Sequence, residues 1–449
     1  MTDHLDRDPD AFDVVVIGAG PGGSTAAARL AAAGRSVLLL ERRTMPRFHV
    51  GESMLPPTNA LLEQLGALDL VRAQGYVVKH GAEFSGGSTG KYGRIPFAGQ
   101  GPGRHPSTFQ VERAHFDRTL AHFARDKGAT LVEGATVREL LMEGDRVVGV
   151  RYQRDGRSHD VRARHVIDAG GRASKVAQTF GLRKYIEGLR MVAVYRHLTG
   201  VEERHNPGWE GDIQIHGHKE GWIWAIPIWP HTISVGAVMP QAVLRAGDAE
   251  TLFDEHVARA PRISARITGT RPAGGLHVET DYCYYSDTIA GEGWTMVGDA
   301  ACFVDPIFSG GAFLAMTTGM RAADTVDELL SAPTRAAELQ EAYSNFYKTG
   351  YDVYARLIYA YYDFDYNLRP FLKSVGFDLA GDEMASNKWL VRLLSGDFWA
   401  GQNVLTHKLR EQSRWDTFAP FEPAWGCPFY EHLNQAEQEN EQEVALATS

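Results

Sequence analysis

Val14-Val-Val-Ile-Gly18-Ala-Gly20-Pro21-Gly22-Gly23-Ser24 is an apolar strand that breaks into closely spaced glycines and enters a small-residue helix, Thr25-Ala26-Ala27-Ala28-Arg29-Leu30. Glycines at this spacing allow a tight turn, clear side chains from the path of a pyrophosphate and leave that anion on a helix N-terminus. The next strand, Ser36-Val-Leu-Leu-Leu-Glu41, ends in an acid 23 residues after Gly18, near the separation expected of a carboxylate gripping ribose hydroxyls. The order strand, turn, helix, strand, acid reads as a site for an adenine dinucleotide, and residues 12 to about 45 read as one βαβ unit.

The chain has 449 residues, 44% hydrophobic and 23% charged, which implies two or three packed units rather than one core. A formal charge of −10 argues against nucleic acid as a main partner. The first ten residues are polar and acidic with no apolar signal-peptide core, and no apolar run reaches the ~18 residues of a membrane span. A cytoplasmic protein without a membrane partner is the simplest expectation. Cys283, Cys302 and Cys427 are odd in number and widely spaced, so neither a disulfide framework nor a metal site is expected, and they read as small buried hydrophobes.

Two later strand ends repeat the glycine signal. Arg164-His-Val-Ile-Asp168 closes on Ala169-Gly170-Gly171-Arg172-Ala-Ser174, and Trp294-Thr-Met-Val-Gly298-Asp299 leads through Asp305-Pro-Ile-Phe308-Ser309-Gly310-Gly311 into a long helix. An acid at the second strand end suits ribitol hydroxyls, and the helix N-terminus suits a partly negative flavin ring. Between them, residues 180 to 280 are strand-rich, and Trp222, Trp224, Ile226 and Ile228 alternate so as to share one strand face. Beyond about 333 the pattern is helical and aromatic, with Tyr351, Tyr354, Tyr359, Tyr361, Tyr362, Phe364 and Tyr366 close together; these cover a substrate cavity or form a helix–helix core.

With these three sites in this order, residues 12 to 330 resemble the FAD-dependent monooxygenase superfamily, the glutathione-reductase-like group that includes para-hydroxybenzoate hydroxylase. The resemblance implies an α/β fold: a glutathione-reductase-like Rossmann domain for FAD, an inserted β-sheet substrate domain and a helical C-terminal region. The boundaries it suggests are 12–80, 110–178 and 281–330 for the FAD domain, 81–109 and 179–280 for the sheet domain, and 331–433 for the helical region. Tails at 1–11 and 434–449 are expected to be disordered. It implies FAD contacts at Gly18, Gly20, Pro21, Gly22, Gly23, Ser24, Glu41, Arg42, Arg47, Ser53, Arg113, Asp168, Gly171, Asp299, Gly310 and Gly311. No second G-x-G-x-x-G unit is present for a nicotinamide dinucleotide.

Three further features resemble the flavin-dependent halogenases, in particular the branch acting on phenols and pyrroles. Trp222-Ile-Trp224-Ala-Ile226-Pro227 matches the W-x-W-x-I-P signature, which implies that these residues shield the flavin from organic substrate. Lys79, after the Gly51-Glu52-Ser53 loop, stands where that family has its catalytic lysine. Phe308-Ser309-Gly310-Gly311 matches the segment whose amides, here Gly310 and Gly311, hold halide. Tryptophan halogenases carry a catalytic glutamate at Phe308, so an electron-rich phenol or pyrrole is the expected substrate, free or tethered to a carrier protein. The resemblance implies FAD reduced in trans by a transient flavin reductase, and chloride or bromide as substrate ion. An FAD-dependent aromatic hydroxylase and a geranylgeranyl-reductase-like flavoprotein remain open at this point.

Overall fold

The computed structural model describes residues 11–87, 91–101, 104–202, 205–280, 283–379 and 383–426. Met1 to Asp10, 434–449 and Cys427 lie outside them, whereas Ala11, expected in the tail, opens the first strand. That strand, Ala11–Ile17, is central in a parallel sheet: Arg157–Asp168 and Val37–Glu41 flank it, with Trp294–Met296 and Thr130–Glu133 beyond. Val14, Val15 and Val16 are fully buried, as a strand covered on both faces requires, which explains an apolar run without alternation. The hairpin Thr136–Glu143 and Arg146–Arg154 adds antiparallel strands to Arg157–Asp168.

Helix Pro21–Ala32 crosses helix Gly311–Ser331 at very short range. A Cβ on Gly319 would stand 2.4 Å from the Gly22 carbonyl oxygen, and one on Gly22 would stand 2.8 Å from that of Ala315. The small residues that read as a phosphate turn therefore also set this helix crossing.

A second sheet runs in the order Arg271–Pro272, Met191–Thr199, Thr232–Pro240, Gly221–Trp229, Ile213–His218, Gly81–Gly86, Tyr92–Pro96. Its pairs are antiparallel except Ile213–His218 with Gly81–Gly86. Pleating sends Trp222, Trp224, Ile226 and Ile228 into the core shared with the dinucleotide fold, while Ile223 and Ala225 join Phe253, Val257 and Ile263 in a separate core under helices Ala249–Ala258 and Pro261–Arg266.

Helix Ala336–Asp363 is fastened to the first sheet by tyrosine hydroxyls. Tyr343 donates to Met296 O and Tyr347 to Gly298 O, each at 2.7 Å, and Tyr354 donates to Asp305 O at 2.8 Å. A buried tyrosine needs such an acceptor, and these lie along the strand and loop that carry Asp299 and Gly310. Much of the aromatic segment is thus a core clamp on that loop. Among the described residues no helix is long and apolar enough to cross a membrane.

Candidate active site

The glycine turn is built for a large anion. Gly18 takes φ +92°, a left-handed conformation costly for other residues, and a Cβ there would collide with Ala169 O at 2.6 Å. A Cβ on Gly23 would stand 1.9 Å from Gly18 O, whereas Gly20 is open, with only the Arg47 guanidinium within 4 Å at 3.7 Å. Gly20 caps helix Pro21–Ala32 without a side-chain hydrogen bond, which leaves first-turn amides for a ligand. Ser24 is buried and bonds back to Ala19 O at 3.3 Å.

Glu41 accepts from Ala19 N and Arg43 N, each at 3.1 Å, and so ties the second strand end to the turn. Beside it, buried Asp117 takes both Arg113 Nε at 2.8 Å and Arg113 Nη2 at 3.1 Å, and also Arg47 Nη1 at 2.8 Å. Burial alone would raise the Asp117 pKa; the two guanidiniums outweigh it and hold the carboxyl below its usual range. Glu41 also faces Arg47 Nε at 3.4 Å, so two guanidiniums and two carboxylates balance, and the Arg47 guanidinium is the one that reaches the Gly20 rim, where a pyrophosphate belongs. Arg113 Nη1 also holds the Val50 and Gly51 carbonyls at 2.9 and 3.2 Å, fixing the loop that leads to Ser53. Arg42 is exposed at the end of the second strand.

The acids at the other two strand ends differ. Asp168 is fully buried and spends its carboxylate on its own loop: Gly170 N at 2.9 Å, Ser174 Oγ at 2.9 Å and Val176 N at 2.7 Å. Its observed role is to shape the turn containing Gly171, which takes φ +58°, and each of its oxygens already has a protein donor. Tyr284 Oη donates to the Asp299 backbone carbonyl at 2.6 Å, but no described residue donates to the Asp299 carboxylate; burial pushes its pKa up to about 7 while Arg113 and Arg172 pull the other way. An acid left unpartnered at a strand end is ready to accept ligand hydroxyls. The open Gly20 rim, the Arg47–Asp117–Arg113 cluster and Asp299 together fit FAD.

The loop before helix Gly311–Ser331 carries the ring-end groups. Ser309 sits at φ +57°, a strained backbone for a non-glycine residue. Gly310 lies flat under Tyr354, whose ring a Cβ would meet at 2.5 Å, and its N–H is directed at Tyr354 Oη at 3.3 Å. The expectation that both Gly310 and Gly311 amides face a halide is narrowed accordingly: one of them already has an acceptor. Gly311 opens the helix with no Cβ obstruction nearer than Phe303 at 3.9 Å.

Lys79 ends strand Val77–Lys79, which pairs with Thr108–Gln110; Ser53 bridges Gln110 from the other side. This narrow ladder buries Lys79 to 1% exposure. Its amine donates to Ser53 Oγ at 2.8 Å and Met54 O at 2.9 Å, and stands 5.1 Å from the Phe97 ring centroid. Burial pulls the amine down to about pKa 7, against a smaller upward pull from Asp212. A solvated surface lysine has none of these properties. Ser53, expected to contact FAD, is here the lysine's acceptor.

Trp222 and Trp224 stand 5.6 Å apart on the inner face of the second sheet. Trp224 lies flat on Gly236, where a Cβ would come within 2.3 Å of the indole, and donates to Ser234 Oγ at 3.2 Å. Trp222 Nε1 donates to Tyr362 Oη at 3.1 Å, and Tyr362 donates to Asp305 Oδ2 at 2.8 Å. The tryptophan strand, the helical region and the Asp305–Gly311 loop thus share one hydrogen-bonded chain. Ile226 is buried on the same inner face, and Pro227 is buried beside it. Phe308 packs on Tyr361 and Phe84, with centroids 5.6 and 6.3 Å away.

Sequence reasoning gave no site role to Asp117, Asp305 or Asp212, and named Tyr354 and Tyr362 only within the aromatic cluster. Asp117 was findable: it lies four residues after Arg113 on a helix, the spacing of a facing ion pair. The others meet their partners across 44 to 140 residues of chain, and only the tyrosine clustering hinted at them.

The family model described as tryptophan halogenase matches residues 100–375, and that described as FAD dependent oxidoreductase matches residues 13–183. The tryptophan 2-halogenase of Chondromyces crocatus is 31% identical over 363 residues, 79% of this chain and 68% of that protein. The 1H-pyrrole-2-carbonyl-[peptidyl-carrier protein] brominase of Pseudoalteromonas luteoviolacea (strain 2ta16) is 28% identical over 421 residues, 90% of this chain and 98% of that protein. Among solved structures, the flavin-dependent brominase Bmp2 superposes with a TM-score of 0.78 at 27% identity, covering 89% of this chain and 98% of Bmp2. The myxobacterial chondrochloren halogenase CndH gives 0.76 at 32% identity, covering 86% of this chain and 90% of that chain. With a buried lysine beside the Gly51-Glu52-Ser53 loop and the Trp222–Trp224 pair facing the FAD fold, the chain belongs to the tryptophan halogenase family and is a flavin-dependent halogenase rather than a hydroxylase.

Proposed function

We propose that this enzyme halogenates an electron-rich phenolic or pyrrolic ring, free or carried as an acyl group on a carrier protein, and that Lys79 directs the halogen. When bound, FAD reduced in trans by a transient flavin reductase would supply two electrons and the chloride or bromide two more, so that O2 ends as water and hypohalous acid. The Gly18–Gly23 turn with Arg47 and Arg113 holds the pyrophosphate, Glu41 and Asp299 take ribose and ribitol hydroxyls, and the Gly311 amide, first of its helix and without an intrahelical acceptor, binds the halide beside Gly310.

Trp222, Trp224, Ile226 and Pro227 keep the organic substrate from the flavin, so only a small electrophile passes. At Lys79, two of three ammonium protons are committed to Ser53 Oγ and Met54 O. The third donates to the oxygen of hypohalous acid and polarises the O–X bond. The ring carbon then takes the halogen, and its displaced proton leaves with the hydroxide as water. Phe308 suits a ring activated by its own oxygen or nitrogen and offers no carboxylate for indole. The division at 12–80, 110–178 and 281–330 against 81–109 and 179–280 remains our proposal for the domain boundaries, as does a cytoplasmic location.

The buried, doubly hydrogen-bonded Lys79 carries this reading. The test supplies protein, flavin reductase, FAD, NADH and O2 with bromide or chloride, and offers phenols, pyrroles, a pyrrolyl thioester on carrier protein, and tryptophan. Mass spectrometry should find halogen on a phenol or pyrrole. Preferred halogenation of tryptophan would overturn the substrate class, and a halide-independent hydroxylated product would overturn the reaction.

A further inference from the structure

The turn after Lys79 is packed on a buried acid that the reaction above does not use. Asp212, at 0% exposure, accepts the His80 backbone N–H at 3.0 Å on Oδ1 and Arg94 Nε at 2.6 Å on Oδ2. Two glycines let it approach. A Cβ on Gly211 would stand 1.8 Å from Val78 O, and one on Gly81 would stand 2.7 Å from Ile95 O and 3.0 Å from Asp212 Oδ2. The segments Val78–Gly81 and Gly211–Asp212 are thus in backbone contact on either side of the residue that bears the amine.

We propose that Asp212 is a positioning residue for Lys79: it pins the backbone that carries the lysine, and its negative charge holds the third proton on the amine. Around that amine the polar groups are Ser53 Oγ and Met54 O, both acceptors, and Phe97 is the aromatic neighbour. His80 is exposed and contributes its backbone N–H to Asp212. Asp212 is the charged side chain whose field reaches the amine and favours its cation. Arg94 and Arg266 are its counterweights. The Arg94 guanidinium lies 5.2 Å from the Trp209 ring centroid with its side chain 21% exposed, and buried Arg266 donates from Nη1 to the Asp212 backbone carbonyl at 3.3 Å. Removing either member of the Asp212–Arg94 pair should therefore move the lysine in opposite directions.

This inference rests on Lys79 as the directing residue, but its test does not need turnover. In protein without flavin, the fraction of Lys79 modified by a trace of acetic anhydride, read by peptide mass spectrometry against pH, gives the amine's titration. Asp212→Asn, which keeps the shape and an oxygen for His80 N–H, should shift that titration to lower pH. Arg94→Gln should shift it up, and it keeps the proposal testable if Asp212→Asn does not fold. In the complete assay the alkaline limb of the halogenation profile should move with the label. A Lys79 titration that does not move downward in Asp212→Asn, or does not move upward in Arg94→Gln, overturns the role of Asp212. Loss of halogenation in wild-type protein with these shifts present would instead overturn the function proposed above.

Discussion

Replacing Lys79 by methionine isolates the free energy stored in burying an amine. Burial lowers the lysine from its ordinary 10.5 to about 7. At 1.36 kcal/mol per unit, the folded protein at low pH carries a cost of about 5 kcal/mol for holding the cation out of water. The sign follows from proton counts. Because the folded pKa lies below the unfolded one, the unfolded chain binds more protons between pH 7 and 10.5, and wild-type stability rises with pH across that window. The Lys79→Met protein has no such group. It loses the bonds to Ser53 and Met54, but that loss is independent of pH. Urea titrations of both flavin-free proteins, followed by tryptophan fluorescence at pH 6 to 9, should show wild type gaining about 3 kcal/mol on the variant over those units. A difference constant with pH would refute the buried, cost-bearing amine, and a difference of opposite slope would mean an ion pair holds it as a cation.

Asp117→Asn leaves Arg113 without its buried counter-ion and Arg47 with Glu41 alone; stability should fall by about 3–5 kcal/mol in urea titrations, and FAD affinity by flavin-fluorescence titration should weaken with it. Gly236→Ala drives a methyl into the Trp224 indole, so H2O2 release per NADH should rise and halogenated product fall, while overpacking costs about 1–3 kcal/mol. Tyr362→Phe strips an acceptor from Trp222 and a donor from Asp305, with about 1–3 kcal/mol lost in the same titrations and an altered pattern of halogenated positions by mass spectrometry.

The sequence was most legible where one short segment carries both fold and chemistry. Gly18 to Glu41 states strand, turn, helix, strand and acid within a single βαβ unit, and the structure keeps each element in place. The face shared by Trp222, Trp224, Ile226 and Ile228 follows from pleating alone. Lys79 could be singled out by position, yet its surroundings depend on Ser53, Met54, Phe97 and Asp212, which converge from three separate stretches of chain. Asp168 looked like Asp299 in sequence, each an acid at a strand end before small residues. Only the three donors folded back on Asp168 separate a carboxylate that shapes a loop from one left open. Tyr354 on Gly310 has no local signature, since 44 residues and a helix boundary intervene.

The central claim is that Lys79 receives an electrophilic halogen made elsewhere in the protein and places it on an aromatic ring. Mass spectrometry of bromide reactions with a phenol or pyrrole, run in parallel for wild type and Lys79→Met, tests it most directly when hypobromite released to solution is trapped in the same vials. The account predicts a bromine isotope doublet on the aromatic product with wild type, its loss with Lys79→Met, and continued release of hypobromite by that variant. Aromatic bromination undiminished by the substitution, or oxygen inserted in place of bromine, would contradict it.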